Sequence, residues 1–456
     1  MEAQVITEAR PVRRNFSIVM KFRGLLIAVV VLLVLGGLLY WSNHRKTAEE
    51  NAATPASTQP LILKMDQAAI SELTIELKGT SPLTLQKDAS GTWRITEPQT
   101  LNADQDAVNG VLMTLANLPA ERVIENKATD LHQYGLDDPV VQVKITGKNR
   151  NERELLLGDD TPAGGDTYAM LAGDPRVFTI ASYNKESIDK GLNDLRDKRL
   201  VTLEMDKISR VDLTRKGQSI EFARIKDGWQ ILKPRPLRAD ANAVDGLVSS
   251  VTSARMDLSE PAVDPAKQFA SAALVASVTL TGDQGAQTLE ARKNKDDYYA
   301  KSSAAGGIYK VDASLGQAVD KSLDDFRNKN IFDFGFNEPQ KIELHNGAQS
   351  WFFTRSGSDW WSNGKKMDGD SVEALVEKLR DLTATGFPDT GFSNPSFEAI
   401  VTSQDGKHVE KVQIAKSGNH YVAKREGEPE LYQLDASTIS DLTGAAVAVK
   451  PAGKAK

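Results

Sequence analysis

LNADQDAVNGVLMTL (101–115) returns in altered form as LRADANAVDGLVSSV (237–251), and a shorter version, MDGDSVEALVEKL (367–379), follows later in the 456-residue chain. Asp104, Asp240 and Asp368 hold the same place in the three stretches. A carboxylate there can accept hydrogen bonds from the free N–H groups of a helix's first turn. Apolar residues then recur at helical spacing: Val108, Val111, Leu112 and Leu115; Val244, Leu247, Val248 and Val251; Val372, Leu375, Val376 and Leu379. The pattern predicts one Asp-capped helix with one buried face, present in three copies.

The flanking landmarks keep the same order, which separates a true repeat from three unrelated amphipathic helices. Upstream stand Trp93 and Trp229, and either Trp360 or Trp361 fills this place in the third copy. Downstream, Tyr168-Ala169, Tyr299-Ala300 and Tyr421-Val422 open a strand, and VFTI (177–180), IYKV (308–311) and LYQL (431–434) form the next one. A second helix closes each unit through Ile188, Leu192 and Leu195, then Val319, Leu323 and Phe326, then Ile439 and Leu442. Alternation in Leu73, Ile75 and Leu77 and in Val141, Val143 and Ile145 reads as sheet with one wet face. Short loops such as KDASGT and AGDPR favour antiparallel hairpins over βαβ crossovers. The fold class expected is α+β: an N-terminal transmembrane helix and then three tandem repeats, each a mainly antiparallel sheet with about two helices.

The assigned segments are a basic tail at 1–23, a membrane helix at 24–41 and a flexible linker at 42–60. Repeats follow at 61–200, 201–331 and 332–447, the last diverged, with a tail at 448–456. Gly24 to Trp41 carries no charge and, at ~1.5 Å per residue, would span about 27 Å, close to the bilayer's hydrocarbon thickness. Arg10, Arg13, Arg14, Lys21 and Arg23 precede it, which places the N-terminus in the cytoplasm and the body outside. The net charge of −6 divides into +5 for residues 1–46 and −11 for the rest. An acidic body repels phosphate backbones, so nucleic acid is not an expected partner. The absence of cysteine removes disulfides, thiolate metal sites and thiol nucleophiles.

YGLDDPVVQVKI (134–145), ELLLGDDTPAGGDTYAML (154–171) and DLRDKRL (194–200) together resemble the bacterial family called domain of unknown function 4340. The second copy keeps its Trp, capped helix, Tyr-Ala strand and Phe326-Arg327, while the third has only Phe392-Ser393-Asn394-Pro395 near the first motif. The resemblance implies a membrane-anchored extracytoplasmic protein associated with ABC transporters of the gliding-motility type, and assigns no chemistry.

Side chains that could carry chemistry each have a plainer reading. His44, His132, His345, His408 and His420 show no metal-ligand spacing. Ser182 to Lys185 and Ser187 to Lys190 match a nucleophile string of penicillin-binding enzymes without its companion motifs. Asp159, Asp160 and Asp166 lie on a Gly-rich turn that could attract calcium, but their spacing follows no known calcium loop. Asp137-Asp138, Asp296-Asp297 and Asp324-Asp325 read as solvated acids, and Arg196 and Arg327 as helix-end caps or pairs. The recurring Trp and Tyr residues could stack on a glycan, yet their equivalent positions point to the core. No catalytic, cofactor-binding or metal-binding residue is assigned. The function expected is a non-enzymatic scaffold or accessory subunit of an ABC-transporter or envelope complex, with protein partners. A binding module for an envelope polymer or lipid is the alternative, and a cell-wall hydrolase the third choice.

Overall fold

The computed structural model describes residues 60–453, apart from 227, 260–263 and 336. The expected membrane helix at 24–41 and nearly all of the linker lie outside the described residues. Among those described, no helix is long and apolar enough to cross a membrane. The fold is α+β, with four antiparallel sheets and nine α-helices among the described residues. The chain divides into two compact units at Asp197/Lys198.

In the first unit, alternating sequence makes a sheet with one dry face. Ile70–Leu77 lies at its centre, paired with Leu83–Lys87, which leads through Trp93–Glu97 to the edge strand Leu101–Asn102. The helix Gln105–Ala116 follows, and the chain returns to the centre as Val141–Gly147. A second meander then runs the other way through Glu152–Asp160, Asp166–Leu171 and Val177–Ala181. Leu73 faces Ile145 and Ile75 faces Val143 across the central pair, all buried. On the opposite face the Thr74 and Thr84 hydroxyls meet at 3.2 Å. The helix closes the dry face with Val108, Val111, Leu112 and Leu115, each burial worth about 2 kcal/mol. Its start is fixed by Asp104, whose carboxylate accepts from the N–H groups of Asp106 and Ala107 at 3.1 Å.

Both eight-stranded sheets of the second unit share this strand order, about the central pairs Ile208–Arg215 with Ala273–Gly282 and Lys341–Asn346 with Phe397–Ser403. Their helices, Ala241–Thr252 and Gly369–Arg380, are capped by Asp240 on Ala243 and by Asp368 on Ser371. The N–H of each capping Asp also donates to a distant carbonyl: Asp104 to Leu195 at 2.8 Å, Asp240 to Phe326 at 2.8 Å and Asp368 to Lys450 at 2.9 Å. Return bonds complete the closures, Asp197 to Asn102, Asn328 to Arg238 and Ala452 to Lys366. Residues 450–452, placed by the sequence in a tail beyond 447, thus close the third sheet.

Three local features differ from the sequence reading. The closing helix is broken in the first two copies, into Ser182–Ile188 and Leu192–Leu195, and into Ala313–Val319 and Leu323–Phe326. At each break a carboxylate restarts the helix, Asp194 accepting from the Gly191 N–H and Asp325 from the Ser322 N–H. Arg122–Glu125 adds a ninth strand to the first sheet, and Leu61–Lys64 pairs with Asn117–Pro119 as a separate ribbon. Neither short segment alternates for long enough to register as a strand.

Candidate functional site

The family-like motif in the first unit is a packing device. Tyr134 is buried, its hydroxyl donating to Glu125 at 2.9 Å, and its ring meets Tyr168 with centroids 4.9 Å apart. Burial, and then the neighbouring Glu125, push its phenol pKa upward. Gly135 ends a short 3-10 turn with φ +64°, and a Cβ there would meet the Asp159 carboxylate at 2.7 Å. A Cβ on Gly158 would stand 2.1 Å from the Tyr134 carbonyl oxygen. The motif and the acidic hairpin therefore pack backbone against backbone, which only glycine permits.

The candidate reactive groups are placed as follows. Asp160 accepts from Thr167 Oγ1 at 2.6 Å and Lys185 Nζ at 2.9 Å, bonds that hold its carboxyl below the usual range. Lys185, of the first Ser-x-x-Lys string, is thereby paired, and Ser187 of the second donates to the Tyr183 carbonyl at 2.8 Å. Among the described residues no group of three or more His, Asp or Glu could hold a metal ion. Trp93, Trp229 and Trp360 are all buried, which assigns the third place to Trp360 and leaves Trp361 40% exposed. Tyr299 is buried too, and Tyr421 packs against the third core.

A polar constellation of arginines and carboxylates lies between the second and third sheets, inside the second unit. Arg327 follows the helix Leu323–Phe326; it donates to Asp324 at 3.0 Å and pairs with Glu430, and its guanidinium lies 3.6 Å from the centroid of Phe387. Arg235 reaches the other oxygen of Glu430 at 2.8 Å. Arg238, on the strand leading into the capped helix, pairs with Asp333 and donates to the Asn330 carbonyl at 2.6 Å, Tyr432 Oη at 3.1 Å and Glu428 at 3.3 Å. Arg425 donates to Glu428 at 2.8 Å and Glu410 at 3.1 Å, and to the Ile331 carbonyl. Four arginines thus meet five carboxylates in a nearly neutral seam.

Burial alone would lower the pKa of Arg238, but Tyr432, Asp333 and Glu428 outweigh it and raise it. Arg327 is shifted down by burial, and Tyr432 up by burial. A polar cleft of about 730 Å³ opens beside the seam, lined among others by Trp229, Arg238, Asp240, Asn242, Asn328 and Asp333. Three of its four charged residues have roles in the fold: Arg238 pairs with Asp333, which also accepts from Asn328 at 3.1 Å, and Asp240 caps its helix, while Lys329 completes the lining. The sequence reading assigned Arg327 a local cap or pair, and Asp324 fits that. It missed the seam because Glu428, Glu430 and Tyr432 lie about a hundred residues further on and follow no motif.

The fold and seam define a class, the antiparallel-sheet α+β proteins built from recurrent modules. The family described as domain of unknown function (DUF4340) matches residues 93–233 and again 229–399, and the chain belongs to that family. Both matches begin at a buried Trp strand, Trp93–Glu97 in one and Gly228–Lys233 in the other. Nothing among curated proteins or solved structures matches the chain.

Proposed function

We propose that the chain is a non-enzymatic scaffold or accessory subunit of an envelope complex such as an ABC transporter, anchored in the inner membrane by residues 24–41 and holding three tandem repeats in the periplasm. The observation that carries this reading is the seam. Burying Arg327 and Arg425 with Glu430 and Glu410, and most of Arg238, fixes one module on the next at a high desolvation cost, which suits a protein whose task is to hold a surface in place. The basic flank and uncharged run at 24–41 support the anchor. The engagement of Lys185, Asp160 and Ser187 within the fold supports a role without turnover.

The test is purification of the full chain from crosslinked intact membranes. A reproducible membrane-protein partner is expected, and recovery of the chain alone would count against the proposal.

A further inference from the structure

Strands alternate their side chains between faces, so burial of one residue fixes where its neighbour points. In the third sheet Phe353 is 2% exposed and Trp360 5%, both on the core side, which puts Phe352 (41%) and Trp361 (40%) on the open face. Trp361 is registered opposite Thr354, two residues along from Phe352. The two residues are diagonal cross-strand neighbours, which lie about 7–8 Å apart, somewhat less at Cβ, within reach of aromatic side chains. The His345 ring stands edge-on to Phe352 at 5.4 Å, and its Nδ1 shares a hydrogen bond with Ser350 Oγ at 2.9 Å.

The repeats supply their own control. Through the register of the buried Trp strands, Phe352 takes the place of Glu221 in the second sheet and Thr84 in the first, and Trp361 that of Gln230 and Arg94. Two copies of this fold therefore close with polar residues at both positions, so the exposed rings answer no need of the fold.

The charges around the rings are paired with one another: Lys341 with Glu343 at 2.5 Å, Lys366 with Asp359 at 2.8 Å and Lys411 with Glu398 at 3.0 Å. Lys424, on the same face by register and over the Phe392 ring, has three strands between it and Phe352, so the region around the two rings offers little net charge to a nucleic acid, an acidic polymer or a charged peptide. It offers two flat apolar rings beside the hydroxyls of Thr354, Ser350 and Thr402, which lie on the same face by register. That combination matches an uncharged sugar chain, whose C–H faces stack on aromatic rings while its hydroxyls bond to polar neighbours.

We infer that the outer face of the third sheet binds a neutral glycan strand, with Trp361 and Phe352 as the stacking platform and His345 supporting Phe352. The site is independent of the scaffold role, and the two can fail separately.

The test uses the full chain in detergent with neutral β-1,4-linked hexasaccharides of glucose and of N-acetylglucosamine, read by calorimetry. The variants are Trp361→Gln and Phe352→Thr, residues that the sister repeats already carry, so an unchanged thermal midpoint is expected. Saturable binding of at least one hexasaccharide is expected, weakened about tenfold by either substitution and lost with both. Absence of binding to both sugars, or binding indifferent to both substitutions, overturns the inference. So does loss in the variants of self-association or of a crosslinked protein partner without any sugar binding, since the face would then be a protein interface.

Discussion

Gly158 shows how much a single Cβ can decide. Its neighbour across the motif is a carbonyl oxygen held by the backbone, so Gly158→Ala must displace main chain and is expected to cost about 3 kcal/mol. Gly110 and Gly246 sit on exposed helix surfaces with nothing within 4 Å, and alanine there should stabilise by about 0.5–1 kcal/mol each. Urea unfolding of the three variants checks both signs, and a Gly158→Ala protein as stable as the parent would refute the backbone-packing account. The sequence marked this hairpin as a Gly-rich acidic turn and weighed it for calcium. It could not show that Gly158 touches Tyr134, because that contact depends on how two loops meet. Likewise Trp360 and Trp361 are equivalent to a pattern of alternation until the phase of the strand is known, and only one of them is core.

At the scale of elements, the Asp caps were the most legible feature, since an N-cap acts within three residues and leaves its mark in the sequence. The broken closing helix was not, because the apolar spacing continues across the break and hides it: Ile188 and Leu195 are both buried on either side of Asp189–Gly191. The carboxylates at helix starts and turns also set a pH response. Hydrogen bonds from Ser322 hold Asp325 below the usual carboxylate range, and bonds from Ser314 do the same for Asp312. At the turn of the first sheet, Ser90 and Thr92 bring Asp88 down to about 2. A group whose pKa is lower folded than unfolded stabilises the fold fully above its unfolded value, near 4, and loses that contribution as pH falls through its folded value. The urea midpoint is therefore expected to be flat from pH 7 to about 5 and to fall between about pH 4 and 2. Asp325→Asn should lower the midpoint at pH 7 and flatten part of the acid limb; an acid limb identical to the parent's would refute its share.

At the scale of the whole molecule, the repeat was legible because each copy must bury the same helix face on the same sheet, and that need constrains residues close in sequence. The seam was not, because it joins residues from different copies that share no periodic requirement. Its energetics can be separated by exposure. The Arg327 and Glu430 side chains are 8% and 4% exposed, whereas their other partners, Asp324 and Arg235, are 61% and 53% exposed and can turn to water if released. Removing one member of the dry pair strands the other, so Glu430→Leu should destabilise the second unit by about 3–5 kcal/mol. Replacing both, Arg327→Met with Glu430→Leu, removes this dry pair without stranding either member and gives Phe387 an apolar neighbour in place of the guanidinium 3.6 Å from its ring. The double variant should regain most of the loss and could equal the parent. Urea unfolding of the full chain followed by tryptophan fluorescence measures the cycle. If the double variant were as unstable as the sum of the two single ones, the pair would be contributing through separate contacts. The seam would then be a set of independent bonds, and the desolvation argument for a held interface would fail with it.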